Sequence, residues 1–246
     1  MKETVFSDHG GVRVAGYLHH PQRGFLHSKA LAEYFGACTD EVDFVRCLKE
    51  ANGCFAVVIQ RPDLQLAAVD KLRSIPLFYN AAGELSNDSE SLAPLTLEAV
   101  KSSPQKLLAE FLITGYVTGS DTLHPQLKQI PAGHYLRLIP GQAAELKKYY
   151  RYEHQSHARV SIPELIEQQH ALHLAIIKDT ISSLDGRLVV IPLSGGYDSR
   201  LLAALFGELK YDRIITFSYD SPRNPESLIS QKVAKHLQLP WIFFEH

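Results

Sequence analysis

Through the first 150 residues the apolar positions come in short β-type runs broken by turn residues; beyond them, strand-like runs alternate with helix-spaced ones. Val12 to Leu18 alternates apolar with other residues, the period of a half-buried strand. Ser28 predicts the cap of a short helix, Lys29 to Phe35, closed by Gly36. Thr39 or Asp40 opens a second helix, with Val42, Val45 and Leu48 on one face. Cys54 to Ile59 and Gln65 to Val69 are almost continuously apolar around a Pro-Asp turn, which predicts a hairpin buried on both faces. Ile75 to Tyr79, a turn at Ala81 to Gly83 and a polar stretch to Glu90 continue the β pattern. Gln105 to Ile113 predicts a helix closed by Gly115, and Ile130 to Leu138 a turn entering a strand.

Arg151 to Val160, polar and containing His154 and His157, is the linker candidate. Ser161 then caps a long helix with Pro163 near its start, running through Leu165, Ile166, Leu172, Ala175 and Ile176. Leu188 to Leu193 reads as a buried strand, and Leu201 to Phe206 as the start of a helix. Arg213 to Ser218 is a second strand, Glu226 to His236 a helix with Leu228, Ile229 and Val233 inward, and Leu239 to Phe244 a third strand. Such alternation describes a parallel sheet wound by right-handed crossovers, which binds ligands beyond the carboxyl ends of its strands. Ser194 to Gly196 and Tyr219-Asp220 both follow strands and are expected in one crevice. Trp241 to Phe244, apolar and almost the last residues, predict an uncovered hydrophobic edge, hence a domain truncated or completed by another chain.

The bend between the first strand and helix of this second region carries the chemistry. Its paired glycines admit backbone conformations closed to other residues and leave room for a ligand against the main chain. Asp198 and Ser199 fall where N-caps belong, so unpaired N–H groups and the positive helix end face the loop, an anion site. No Lys follows as in a Walker loop, and G-x-G-x-x-G is absent. Hydroxyls and amides suit phosphate oxygens, while the Asp198 carboxylate repels them unless Mg²⁺ lies between, so a metal-bound polyphosphate fits. Two other readings stand beside it: an ordinary strand-helix turn, and Ser194 as a nucleophile, although Leu193 breaks the G-x-S-x-G elbow.

Composition narrows the field. The 246 residues allow one large or two medium domains, and 45% hydrophobic with 21% charged residues is an ordinary globular mixture. A net charge of −2 gives no reason to expect nucleic acid or an anionic membrane. Cys38, Cys47 and Cys54 lack C-x-x-C spacing and read as free thiols of a reducing compartment. With no signal-peptide core after Met1 and no apolar run near ~18 residues, a cytoplasmic location is expected. His19, His20, His124, His134, His170 and His173 stand in no metal-binding spacing to acids or cysteines and read as surface or satisfied core histidines.

Ser194-Gly195-Gly196-Tyr197-Asp198-Ser199 resembles the pyrophosphate loop of the N-type ATP pyrophosphatases. Asn52 to Val57, Asp70 to Tyr79, Ile130 to Leu136 and Lys148 to Tyr150, in that order, resemble the asparagine synthetase family along most of the chain. The resemblance implies an α/β fold in two domains. Residues 1–150 would be a degenerate Ntn-hydrolase-like α+β sandwich of glutaminase type. Residues 160–246 would be an incomplete doubly wound parallel-sheet domain of the adenine nucleotide α-hydrolase type. It also implies that Ser194, Gly195, Gly196 and Ser199 hold the phosphates of ATP, with Asp198 on Mg²⁺ and the backbone of Leu193 and Tyr219 bracketing adenine. The family's catalytic Lys, Glu and Asp are expected C-terminal to His246.

Departures matter equally. Tyr197 and Arg200 replace the commoner Leu and Ser, and Arg200 serves a phosphate, an acidic substrate or only solvent. Glu226 matches an acidic position of the family, or is a plain helix-start carboxylate. The glutaminase nucleophile of the family is a Cys exposed at the processed N-terminus; here Lys2 follows Met1 and the first Cys is Cys38. The family's oxyanion Asn-Gly falls near Ala15-Gly16, and Asp40 matches the carboxylate that binds the glutamine amine. Loss of this kind is similar to that in the β-lactam synthetases. The expected activity is an ATP-dependent, amide-forming ligase that adenylates a small-molecule carboxylate and uses an amine or ammonia, free or from a separate glutaminase. A homodimer is compatible with this. The alternative is a non-catalytic nucleotide-binding or assembly module.

Overall fold

The computed structural model describes residues 6–154, 160–221 and 224–245. The chain divides into two compact units, Met1–His154 and Gln155–His246. Residues 155–159 of the expected linker, His157 among them, lie outside the described residues, as do Met1 and Lys2.

The first unit opens with strands β1 (Ser7–His9), β2 (Val12–His20) and β3 (Gly24–His27), then helices α1 (Ser28–Gly36) and α2 (Glu41–Glu50). The predicted hairpin follows as β4 (Asn52–Gln60) and β5 (Gln65–Val69). Short elements come next: β6 (Phe78–Asn80), β7 (Leu85–Ser86), α3 (Ser89–Leu92), α4 (Leu97–Ser102) and α5 (Gln105–Thr114). The unit closes with β8 (Leu127–Gln129), β9 (His134–Leu138) and β10 (Glu145–Lys148). One antiparallel sheet runs β1-β2-β4-β5-β9-β10, with β3 on β2, and a smaller sheet runs β7-β6-β8.

The central hairpin explains the layering. Phe55, Val57, Ile59, Leu66 and Ala68 point into a core shared with Leu31, Phe35, Phe44 and Leu48 of the helices. Their neighbours Ala56, Val58, Ala67 and Val69 point the other way, into a core with Leu77, Tyr79 and Ile130 of the smaller sheet. Side chains alternate across a strand, so only an unbroken apolar run can serve two cores at once. Phe35 packs at 6.1 Å from Phe44 and 5.2 Å from Phe55, ring centroid to centroid. Burying each such ring is worth about 1.5–3 kcal/mol. Asp70, at 1% exposure, is no liability there, because it accepts from the N–H groups of Phe55, Leu72 and Ser74 at 2.8 to 3.1 Å.

Several local expectations need correction. Ser28 does not cap α1; it is the first helical residue, at φ +47, after an extended His27. Asp40, not Thr39, caps α2 by accepting from the Asp43 N–H at 2.9 Å. The buried face of α2 is Phe44 and Leu48, whereas Val42 is 77% exposed, because the larger Phe44 sets the inward direction two positions from Val42.

The second unit reads α6 (Ile162–Leu184), β11 (Val189–Pro192), α7 (Tyr197–Glu208), β12 (Ile214–Asp220), α8 (Pro225–His236) and β13 (Trp241–Glu245). Its three strands are parallel and lie in the order β11-β12-β13. Ser161 caps α6 as its sequence predicts, accepting from Glu164 N–H. The stripe Leu165, Ile166, Leu172 and Ile176 is exposed, however; Ile177 is the buried position, with Leu174 and Ile181 beside it. On α8 the buried positions are Ser227, Ser230 and Ala234, while Leu228 and Ile229 are exposed. Small residues let this helix approach the sheet closely. Ile191, Leu193 and Ile214 face the core shared with the helices, and on the opposite face Val190, Tyr219, Ile242 and Phe244 are exposed. The uncovered edge expected from Trp241 to Phe244 is present, since β13 pairs with β12 alone among the described strands, and one sheet face is open as well, because alternate residues of each strand point to it.

Candidate functional site

Ser194, Gly195 and Gly196 join the end of β11 to α7, so the bend sits beyond the carboxyl end of a parallel strand and at the start of a helix. β11 is anchored firmly. The Leu193 N–H donates to the Phe217 carbonyl at 2.7 Å, and the Leu193 carbonyl accepts from the buried Ser218 hydroxyl at 2.6 Å. Leu193 itself is 2% exposed.

The bend differs from its sequence-based picture in three respects. Gly196, not Asp198 or Ser199, occupies the N-cap position, and no side chain among the described residues caps α7. Asp198 and Ser199 belong to the first turn, because Tyr197 is already helical. Neither glycine has a positive φ; Gly196 is extended, at φ −73 and ψ 164. A Cβ on Gly195 would meet Glu226 and Ile229 of α8 at 3.5 Å, an ordinary contact, and one on Gly196 would meet the Ser194 Oγ at 3.2 Å. The glycines therefore do not serve a special backbone conformation. Their effect is to leave the main chain bare at a helix tip.

Two loop amides are already engaged. The Ser194 N–H donates to Ser199 Oγ at 3.2 Å, the Gly196 N–H to Ser194 Oγ at 3.1 Å, and the two hydroxyl oxygens lie 3.2 Å apart. The serines thus engage the Ser194 and Gly196 amides within the bend. The first-turn N–H groups of Tyr197, Asp198 and Ser199 keep no intrahelical acceptor by helix geometry. Ser194 finds no His, Lys or carboxylate among its hydrogen-bond partners in the described residues, so it has no base to make it a nucleophile.

Arg200 answers the question its charge raised. Its Nη2 turns back to the Gly195 carbonyl at 2.9 Å, and its guanidinium lies over the Tyr197 ring, 5.1 Å from the centroid. Its Nε is buried without a hydrogen bond among the described residues. The side chain braces the loop rather than reaching outward.

A cavity of about 230 Å³ opens beside the bend, lined by Leu193, Ser194, Tyr219, Asp220, Glu226 and Ser227. The expected crevice between Ser194 and Tyr219-Asp220 is present. Gly195, Gly196, Asp198 and Ser199 lie outside its lining, on the helix side. The volume is below the roughly 300–1,000 Å³ of whole-ligand pockets, room for a ring system but not for a whole drug-sized molecule. Tyr219 is 64% exposed and stacks on Phe217 at 6.4 Å. Asp220 ties down the next turn, accepting from Asn224 and from the Ser221 N–H.

Beneath the cavity lies a feature that the sequence reading missed. Ser218 and Ser230 bring their hydroxyl oxygens to 2.6 Å, Ser230 reaches the Ser227 carbonyl at 2.8 Å, and Trp241 Nε1 donates to Ser218 at 3.2 Å. This network joins β11, β12, α8 and β13. The spacing of Ser227, Ser230 and Ala234 along one helical face was the signal for it.

Asp198 is exposed and its carboxylate has no hydrogen bond or ion pair among the described residues. No group of three or more His, Cys, Asp or Glu among the described residues could hold a metal by protein ligands alone. One free carboxylate fits Mg²⁺ carried in on phosphate oxygens, which needs few protein ligands. A larger cavity, about 430 Å³, lies in the first unit near Gln60, Arg61 and Ala81 to Gly83. Arg61 there is committed to the carbonyls of Thr39 and Cys38, so that cavity has no converging chemistry.

The model of the glutamine amidotransferase domain matches residues 27–150, and that of asparagine synthase matches residues 184–245. No curated protein matches the chain. Among solved structures it is similar to the glutamine phosphoribosylpyrophosphate amidotransferase from B. subtilis complexed with ADP and GMP, at 9% identity and a TM-score of 0.34. It is also similar to the allosteric regulatory enzyme of purine biosynthesis, at 10% identity and a TM-score of 0.35. Each alignment covers 98% of this chain, which spans just under half of those structures, 48% and 47%. No helix among the described residues is long and apolar enough to cross a membrane.

Proposed function

The chain belongs to the asparagine synthetase family, a glutamine amidotransferase domain followed by a partial asparagine synthase domain, and on that premise we propose that it is the ATP-binding part of an amide-forming ligase. The observation that carries this is the bare Ser194-Gly195-Gly196 bend at an uncapped helix tip, next to a cavity lined by Leu193 and Tyr219. The ring cavity takes adenine against Leu193 and Tyr219. The phosphates lie along the bend, on the first-turn amides of α7 and the hydroxyls of Ser194 and Ser199.

Binding then requires an exchange. The Ser194–Ser199 contact and the Gly196-to-Ser194 bond close the bend on itself, and phosphate oxygens replace them. Asp198 would hold Mg²⁺, which when bound supplies counter-charge for a departing pyrophosphate. A carboxylate substrate attacks the α-phosphorus, pyrophosphate leaves, and an amine or ammonia displaces AMP from the acyl-adenylate. The chain's own contribution is electrostatic: fixed amides aimed at the departing charge.

Two observations support an external amine source. Ala15, at 3% exposure, stands where the family resemblance puts an oxyanion amide and carries only a methyl. Asp40, matched to the amine-binding carboxylate, spends its side chain capping α2.

The test is calorimetry of the chain with a non-hydrolysable ATP analogue, with and without Mg²⁺. Magnesium-dependent binding is expected, and no binding under either condition removes the reading. Binding without ATP-pyrophosphate exchange would favour the nucleotide-binding module over the ligase.

A further inference from the structure

Three thiols are free, and two of them meet. Cys38 follows the end of α1, and Cys47 lies in α2, with their Sγ atoms 3.3 Å apart. A disulfide needs about 2.05 Å, so closing one asks the two sulfurs to approach by about 1.25 Å. The surroundings are asymmetric. Cys38 is 3% exposed, whereas Cys47 is only partly buried. Arg61 holds the carbonyls of Cys38 and Thr39, anchoring the backbone that carries the inner thiol, and Tyr34 donates to the Cys47 carbonyl at 3.3 Å, anchoring the backbone of the outer one. Cys54 sits apart on β4, opposite Tyr17 of β2.

We propose that Cys38 and Cys47 form a reversible dithiol–disulfide site for hydroperoxides, with Cys47 the attacking sulfur and Cys38 the resolving one. The hydrogen bond from Cys38 pulls the Cys47 thiol down to about 7; burial opposes this, Tyr34 and Arg46 add to it, and Glu50 pushes back. The same hydrogen bond, burial and Asp43 push Cys38 up, against the pull of Arg61. Cys47 is therefore the sulfur that carries charge.

The chemistry balances. The Cys47 thiolate attacks one oxygen of hydrogen peroxide; an S–O bond forms, the O–O bond breaks and hydroxide leaves. The Cys38 sulfur then attacks the resulting sulfenic acid; the S–S bond forms, the S–O bond breaks, and the hydroxyl departs as water with the Cys38 proton. Two electrons pass from the thiol pair to the peroxide. A dithiol such as dithiothreitol returns them by exchange.

Arg46 lies between the two cysteines, so trypsin places Cys38 and Cys47 on separate peptides that only a disulfide can join. The full chain is treated with hydrogen peroxide, alkylated, digested and analysed by mass spectrometry. A Cys38–Cys47 linked pair that dithiothreitol dissolves, with Cys54 alkylated throughout, is expected. Three separately alkylated cysteines, an irreversible Cys47 sulfinic acid with Cys38 free, or a link involving Cys54 would each overturn the proposal. Cys38→Ser is expected to trap a dimedone-reactive sulfenic acid on Cys47, and Cys47→Ser to leave Cys38 unlabelled. Labelling of Cys38 in the latter would overturn the assignment of roles, and the unmodified chain alone decides the link if either variant fails to fold.

Discussion

The guanidinium of Arg200 and the carbonyl of Gly195 are joined at 2.9 Å, a contact that runs from the second turn of α7 back across its own tip to the loop before it. It engages the carbonyl of the first loop glycine and so braces the bend on which the proposed phosphate site depends. Arg200→Ala is expected to weaken binding of the magnesium-loaded ATP analogue about tenfold, the range of one charge-assisted hydrogen bond. Arg200→Lys keeps the charge but not the planar fork and should recover only part of it. Calorimetry reads the affinity, and a thermal melt separates it from misfolding; unchanged affinity in both variants would show that the brace is dispensable.

Asp198 carries the metal side of the proposal. Asp198→Ala should abolish ATP-pyrophosphate exchange by the complete protein. Because the carboxylate is exposed and unpaired among the described residues, its loss should leave the denaturation midpoint unmoved. Exchange at the parent rate would remove the role assigned to it.

Ser218→Ala tests the buried network below the cavity. The change removes the acceptor of Trp241 Nε1–H and the hydroxyl donor to the Leu193 carbonyl. Buried partners left unsatisfied cost about 1–3 kcal/mol, so urea unfolding of the second unit should show a fall of that size. Nucleotide affinity should fall with it, since Leu193 holds the strand end that leads into the bend.

Acid unfolding of the first unit depends on Glu41. Burial pushes its carboxyl up, but hydrogen bonds from Lys147 and Tyr135 and the charges of Lys147 and Arg137 outweigh that and lower it. Arg137 Nε and Lys147 Nζ lie 3.0 and 2.9 Å from its oxygens. A carboxyl depressed on folding adds stability that is present above its unfolded value, about 4.3, and lost as pH falls through the folded value. Glu41→Gln should therefore lower the denaturation midpoint near neutral pH and converge with the parent in strong acid. A constant gap across the titration would assign the effect to packing rather than charge.

Much of this was legible in the chain itself. The hairpin Cys54 to Val69 announced a sheet buried on both faces, because its apolar run has no polar side to leave in water. Gly115 closes α5 at φ +80 and Ser161 caps α6 because the stereochemistry of helix ends is local. The Ser-Gly-Gly-Tyr-Asp-Ser run likewise placed the bend between a strand and a helix start, since the three are adjacent in sequence.

What needed the tertiary structure was everything set by the path of the chain and the packing of one element on another, rather than by the local run of residues. Helix direction was one such matter: α8 turned Ser227 and Ser230 inward instead of Leu228 and Ile229, and the Ser230 hydroxyl oxygen lies 2.6 Å from that of Ser218 on β12. The nearness of Cys38 to Cys47 was another, created only when α2 folds back beside the end of α1. Arg200 was a third: its charge was plain in the sequence, but its commitment to Gly195 depends on the path of the loop. Local stereochemistry is written residue by residue, whereas long-range pairing is chosen by the packing that excludes most water.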